Sequence, residues 1–348
     1  MLEMIEPYAP TSVQLNVLLT NTGKDQPHTN MEILKKTISA LAVALLICST
    51  AAQAQYNTAN LTPVVGKETN ASYTCEKLRL YPIIANDVFR EAHKDIGQSV
   101  PMNKALADGR LKVSEKEGGG TVNTLQAKNT STDTIYLMQG EVVVGGKQDR
   151  MLAQDVLIPP GATMDIGAFC VEHGRWSEGG TGKGFNNTAG VVPQEVRKAA
   201  AVQKDQSEVW DKVAKNVAKH DANAPSGSYV DVTRDEKFAK AQKQYKDRLG
   251  RLPQSVKHIV GVVAVTGDRV VGCDVFATED MFAQAFPQLI DAYIAEALSN
   301  GSEVTMSDAA IQEYFKELFE NEKALEEKTN GNGYLFKQEG KTYRISSF

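Results

Sequence analysis

From residue 121 to residue 172 the chain reads TVNTLQAKN, TIYLMQGEVVV, RMLAQDVLI and ATMDIGAFCVE, four apolar runs set apart by Asn129-Thr130-Ser131, Gly145-Gly146 and Pro159-Pro160-Gly161. Runs this short, separated by turn formers, predict antiparallel hairpins. Two further strands are predicted ahead of them, LRLYPIIA (residues 78–85) and LKVSE (111–115). After residue 190 the period changes. Pro193 opens a helix whose Val209, Trp210, Val213 and Val217 share one face, and a polar helix follows over 234–249. Two β-branched runs around Gly267-Asp268 predict a hairpin, helices are expected over 279–298 and 307–327 with Ser307 as N-cap, and GYLFKQ and TYRISSF close the chain as strands. Strands first and helices later, without regular alternation, give an α+β fold: a β-rich N-terminal part, then helices and a further hairpin. Residues 61–348 read as a single domain, since no linker-like stretch interrupts them.

Ahead of that domain, residues 31–55 read MEILKKTISALAVALLICSTAAQAQ. Lys35 and Lys36, a short apolar run and Ala52-Gln53-Ala54 make the three parts of a secretory signal peptide over residues 31–54. The apolar run is too short to span a bilayer, which needs roughly 20 residues, so no stable membrane span is expected after cleavage. Residues 1–30 read as a non-native upstream extension with translation starting at Met31, and the product as an exported, periplasmic or secreted protein. Three cysteines, Cys75, Cys170 and Cys273, follow the leader, so at most one internal disulfide is possible. With 38 Lys and Arg against 43 Asp and Glu, and no basic stripe, nucleic acid is excluded as a partner.

Chemistry concentrates in two stretches, GEVVVGGKQDR (140–150) and CVEHGRW (170–176). Glu141, in a strand expected to be covered on both faces, needs a cation, and Lys147, Arg150 and Arg175 are the nearby choices. Either these groups form an internal ion-pair network around a tight turn, or Arg150 and Arg175 grip an anionic ligand while Trp176 stacks on it and Glu141 or Glu172 orients it. Lys147, Gln148 and Asp149 complete the candidate set. GGTGKG lacks the first glycine and the final Ser or Thr of a phosphate loop, the histidines have no metal spacing, and Cys170 with His173 is a weak nucleophile pair. Residues 177–190 have no hydrophobic period, and 179–187 read as a mobile flap beside Arg175 and Trp176.

Together with VGVVAVTGDRVVGCDVFA, these two stretches resemble the ARG and rhodanese-phosphatase-superfamily-associated protein domain, over roughly residues 78–298. That resemblance implies partners of the ADP-ribosylglycohydrolase and rhodanese-phosphatase kinds, hence nucleotide or ADP-ribose-type ligands. Glu141, Gln148, Arg150, Cys170, Glu172, Arg175 and Trp176 occupy the motif positions. Three functions are therefore expected in order: a small-molecule or anion-binding protein, a hydrolase of a phosphorylated or nucleotide-like substrate, and a purely structural envelope domain.

The leader makes the first test. Mass spectrometry of the exported protein should find Gln55 as the first residue; a mature N-terminus upstream of Met31 would refute the signal reading.

Overall fold

The hairpin expected around Gly267-Asp268 forms as strands Ile259–Thr266 and Arg269–Phe276, at the centre of a seven-stranded antiparallel sheet. The computed structural model describes residues 56–116, 123–175, 184–220, 224–320 and 322–348, all within the unit Ala52–Phe348. The expected signal peptide over 31–54, the residues ahead of it and Trp176 lie outside the described residues. In the large sheet the order runs Leu61–Pro63, Leu78–Ala85, Ile259–Thr266, Arg269–Phe276, Lys341–Ser347, Gly333–Gln338, with Thr74–Cys75 beside the second strand. The central strands bury both faces: Val262 and Ala264 enter one core with Phe282, Phe286 and Tyr293 of the helix Glu279–Asn300, while Val263 and Val265 enter the other with Phe315 and Phe319. That is why these strands read as unbroken β-branched runs.

Four expected elements are split. Instead of one helix over 307–327 there are Asp308–Leu318, capped by Ser307 as predicted, and Glu322–Thr329. The helix opened by Pro193 stops at Lys204, whose φ of 54° is left-handed, and restarts as Gln206–Lys219 under an Asp205 cap. TIYLMQGEVVV does not run through either: Ile135–Leu137 and Glu141–Gly145 are separate strands joined across Gly140, with φ 88°. RMLAQDVLI breaks likewise, into Arg150–Leu152 and Val156–Ile158.

Each broken run feeds two sheets. The outer halves, Ile135–Leu137 and Val156–Ile158, pair in a three-stranded sheet with Val100–Pro101. The inner halves enter a closed six-stranded barrel in the order Thr163–Cys170, Thr124–Asn129, Leu111–Glu115, Gly184–Val191, Glu141–Gly145, Arg150–Leu152. Leu111, Val113, Leu125, Ala127, Val143, Leu152, Ala168 and Phe185 make the apolar core of this part. Gly184–Val191 corrects the flap reading in part: residues 184–187 are barrel strand, while 176–183 lie outside the described residues.

At the breaks sits a buried charge cluster. Arg197 and Arg344 converge on Asp274 at 2.9 and 2.6 Å, and Arg344 also reaches Asp155 at 2.8 Å; all four side chains are at most 1% exposed. Asp155 then accepts the Gln139 backbone N–H at 2.6 Å, which ties one break to the other. Tyr293 and Ser346 donate to Asp274 from the long helix and the last strand. Two guanidinium and two carboxylate groups balance, so Glu141 beside them has no cation left. Burial pushes its carboxyl up to about 8, opposed by the Met138 N–H and reinforced by Asp155. It is neutral near pH 7, and none of Lys147, Arg150 or Arg175 pairs with it.

A raised carboxyl favours the fold below its unfolded value of 4.5, and that contribution is lost as pH climbs through about 8. Glu141→Gln keeps the acceptor for Met138 and cannot ionise. Its melting temperature relative to the native protein should therefore rise steadily from pH 5 to pH 9. Parallel melting curves across that range would show Glu141 ionised or exposed.

Candidate functional site

The turn between Glu141–Gly145 and Arg150–Leu152 carries two glycines, and Gly146 is required there: its φ is 54°, and a Cβ would lie 2.5 Å from Phe185. So tight a turn leaves several of its backbone groups without ladder partners, and the charged residues supply them. Asp149 accepts the Gly145 N–H at 3.0 Å, and Glu115 accepts the Lys147 N–H at 3.1 Å. Arg175 donates to the Gly146 carbonyl at 2.8 Å and reaches that of Gly145 at 3.4 Å.

The EHGRW stretch is fastened to the same turn. Glu172 accepts the Asp149 N–H at 2.9 Å and holds Arg175 through Nε and Nη2, at 2.9 and 2.7 Å. Ser228 donates to Asp149 at 2.9 Å while capping its own helix, and Gly174 N–H meets the Ser226 carbonyl at 2.6 Å. A Cβ on Gly174 would press to 3.0 Å of that carbonyl, which explains the glycine. Burial raises the Asp149 carboxyl, with the Gly145 N–H and Arg175 acting against it, whereas Arg175 is held above its ordinary range despite burial. Glu172, Asp149 and Arg175 thus come together as expected, with Arg175 engaged by its own chain at all three nitrogens. That half of the constellation holds the turn.

Arg150 is different. Two residues from Leu152 and paired in register with Val143 and Cys170, it points into the barrel and has no exposed surface. Its Nη1 donates to the Gln148 carbonyl at 2.8 Å. Its Nη2 stands 3.5 Å from Glu115, and the two residues sit on strands that are not neighbours, so this contact crosses the lumen. Neither Nε nor Nη2 has a hydrogen-bond partner. These two N–H groups form one edge of the guanidinium, the edge that takes two acceptors at once. Gln148, 3% exposed, places its Oε1 3.5 Å from Nη1. The Cys170 thiol beside Arg150 is buried and raised by that burial, the reverse of an activated thiolate.

Among the described residues no group of three or more His, Cys, Asp or Glu could hold a metal ion, Cys75, Cys170 and Cys273 are buried free thiols, and no helix is long and apolar enough to cross a membrane. What sequence reasoning missed is the Asp155, Arg197, Asp274 and Arg344 cluster. The signal was Asp274, a charge inside VVGCDVFA, which has to be paired if that strand is buried.

The model of the ARG and Rhodanese-Phosphatase-superfamily-associated Protein domain matches residues 67–347. No curated protein and no solved structure matches the chain.

Arg175→Ala strands two buried carboxylates, Asp149 and Glu172, and two carbonyls. Loss of one partner of such a network should cost about 3 kcal/mol of stability, read as a lower urea midpoint. An unchanged midpoint would mean Arg175 does not hold the turn.

Proposed function

Since the chain belongs to the ARG and rhodanese-phosphatase-superfamily-associated protein domain family, we propose that it is an exported small-molecule-binding protein whose occupant is received by Arg150 at one end of the barrel. The carrying observation is the unmatched Nε and Nη2 edge of a guanidinium with no exposed surface. A buried donor left without an acceptor costs roughly 1–3 kcal/mol, and two on one edge support the reading that a guest completes them.

The edge sets the chemistry. It matches a group offering two coplanar acceptors: a carboxylate, two phosphate oxygens, or the paired ring acceptors of a purine. Glu115 already offsets the Arg150 charge, and its carboxylate can accept a donor from the same guest. A nucleotide-type ligand supplies both acceptors and donors, in keeping with the partner families in the domain's description. The leader over residues 31–54 supports export. For a hydrolase the described residues offer no activated nucleophile at this end, Cys170 being buried and raised.

Calorimetry with a panel containing ADP-ribose, AMP, adenosine and simple carboxylates tests the reading. A binder should shift the Arg150 Nε–H resonance and lose at least about tenfold in affinity in Arg150→Lys, which keeps the charge and removes the edge. If a panel member binds both proteins equally and leaves that resonance unmoved, the guest is elsewhere.

A further inference from the structure

The outer wall of the barrel carries a second feature, on the opposite face of the strands from Arg150 and Glu115. In Leu111–Glu115 and Thr124–Asn129 the alternation sends Leu111, Val113, Leu125 and Ala127 inward, and Lys112, Ser114, Gln126 and Lys128 outward. The register sets Lys112 directly against Lys128, and Ser114 against Gln126. Like charges facing each other across an antiparallel pair destabilise it, and a neighbouring carboxylate ordinarily relieves them. Here none does. Thr163 is the next residue along the Lys112 and Lys128 row, while Asp165, one row on, is taken by Lys116. Asp108 and Asp133 are both held by Arg110, and Glu115 faces the lumen.

The two lysines rim a cavity of about 530 Å³ whose wall includes Ser114, Gln126, Gly184 and Asn186. Asn186 is there because the ladder slips. Phe185 pairs with Gly145 and Asn187 with Val144, so Asn186 is the extra residue of a β-bulge. A bulge re-aims the side chain it carries. Gly184 presents no side chain to it. The result is a hollow with two ammonium groups at one row that have no carboxylate partner among the described residues, three neutral polar side chains around it, and Leu106, Leu111, Val113 and Phe185 also in its lining.

We propose that this hollow binds a small phosphorylated molecule with a hydroxylated body, the phosphate between Lys112 and Lys128 and the hydroxyls on Ser114, Gln126 and Asn186. Two ammonium point charges suit a tetrahedral, multiply charged oxyanion, which needs charge more than a planar fork. Hydroxyl and amide side chains both donate and accept, as sugar hydroxyls require. The site is independent of the Arg150 edge, which lies inside the barrel.

Glucose 6-phosphate, inorganic phosphate and glucose serve as probes for titration calorimetry on the full chain. The sugar phosphate should bind at least tenfold tighter than phosphate, glucose should not bind, and Lys112→Gln with Lys128→Gln should reduce sugar-phosphate affinity at least tenfold. Asn186→Ala should weaken the sugar phosphate and leave inorganic phosphate unchanged. Without any anion the double lysine variant should melt higher than the native protein, because the facing charges are gone, and that advantage should vanish in saturating sugar phosphate. Sugar-phosphate binding unaffected by the double variant, binding of inorganic phosphate alone, or no binding by either anion would each overturn the proposal. An Arg150→Lys protein that still binds the sugar phosphate supports the separation of the two sites; one that loses it refutes that separation.

Discussion

Asp274 is the residue on which the assembly turns. A carboxylate buried in the middle of a sheet is unstable alone, and only the two guanidinium groups of Arg197 and Arg344 make it tolerable. Burial would raise Asp274; the two arginines overrule it and hold the group well below the usual carboxylate range. Arg197 comes from the helix after the barrel, Arg344 from the last strand, and Asp155 from the break between barrel and small sheet. One charge centre therefore joins pieces of chain up to 189 residues apart. Such a cluster is weak evidence for stability as such, because apolar groups of equal volume can do as well. Its geometric demands are severe, however, and they specify how the large sheet meets the rest.

The broken strands follow from that demand. If residues 134–144 ran straight, Gln139 would be an ordinary ladder residue. Instead the chain turns at Gly140, the Gln139 N–H goes to Asp155, and its amide lies along Arg197, 3.3 Å away through Oε1. The break releases Glu141–Gly145 into the barrel, which brings the Gly145-Gly146 turn to Arg175 and sets Arg150 inside the lumen. Electrostatics at one end thus decides which side chain points inward at the other.

Much of this was legible in the sequence, for local reasons. The hairpin around Gly267-Asp268, the Ser307 cap and the strand character of LKVSE depend on residues within a few positions of each other. The Glu172, Arg175 and Asp149 cluster was legible too, since a two-glycine turn beside so many charges has to be satisfied by them. The breaks at Gln139 and Asp155 were not. TIYLMQGEVVV has the pattern of a continuous buried strand, and the acceptor that stabilises its kink lies 16 residues further on. The strand Gly184–Val191 escaped notice because barrel closure, not apolar patterning, orders it: only Phe185, Gly190 and Val191 in it are buried.

Comparing the arginines by what accepts from them sorts structure from function better than burial does. Arg197 lies at 1% exposure with its nitrogens on Asp274, Ser346 and Gln139, and its plane is over Phe348 at 4.8 Å. Arg344 leaves a single N–H unmatched, its other two nitrogens being held by Asp155 and Asp274. Arg175, half-buried, is fully engaged. Of these four only Arg150 has an edge with no hydrogen bond to either nitrogen, and the reason lies in its surroundings: Val143, Leu152, Ala168 and Phe185 form an apolar wall that offers no acceptor, and Glu115 approaches Nη2 alone, at 3.5 Å from across the lumen. A guanidinium placed only to brace the fold would sit where acceptors are plentiful, as the other three do. One held in an apolar lumen with its two-pronged edge lacking hydrogen bonds is costly unless something else completes it, and this is the physical ground for the proposal of a ligand there.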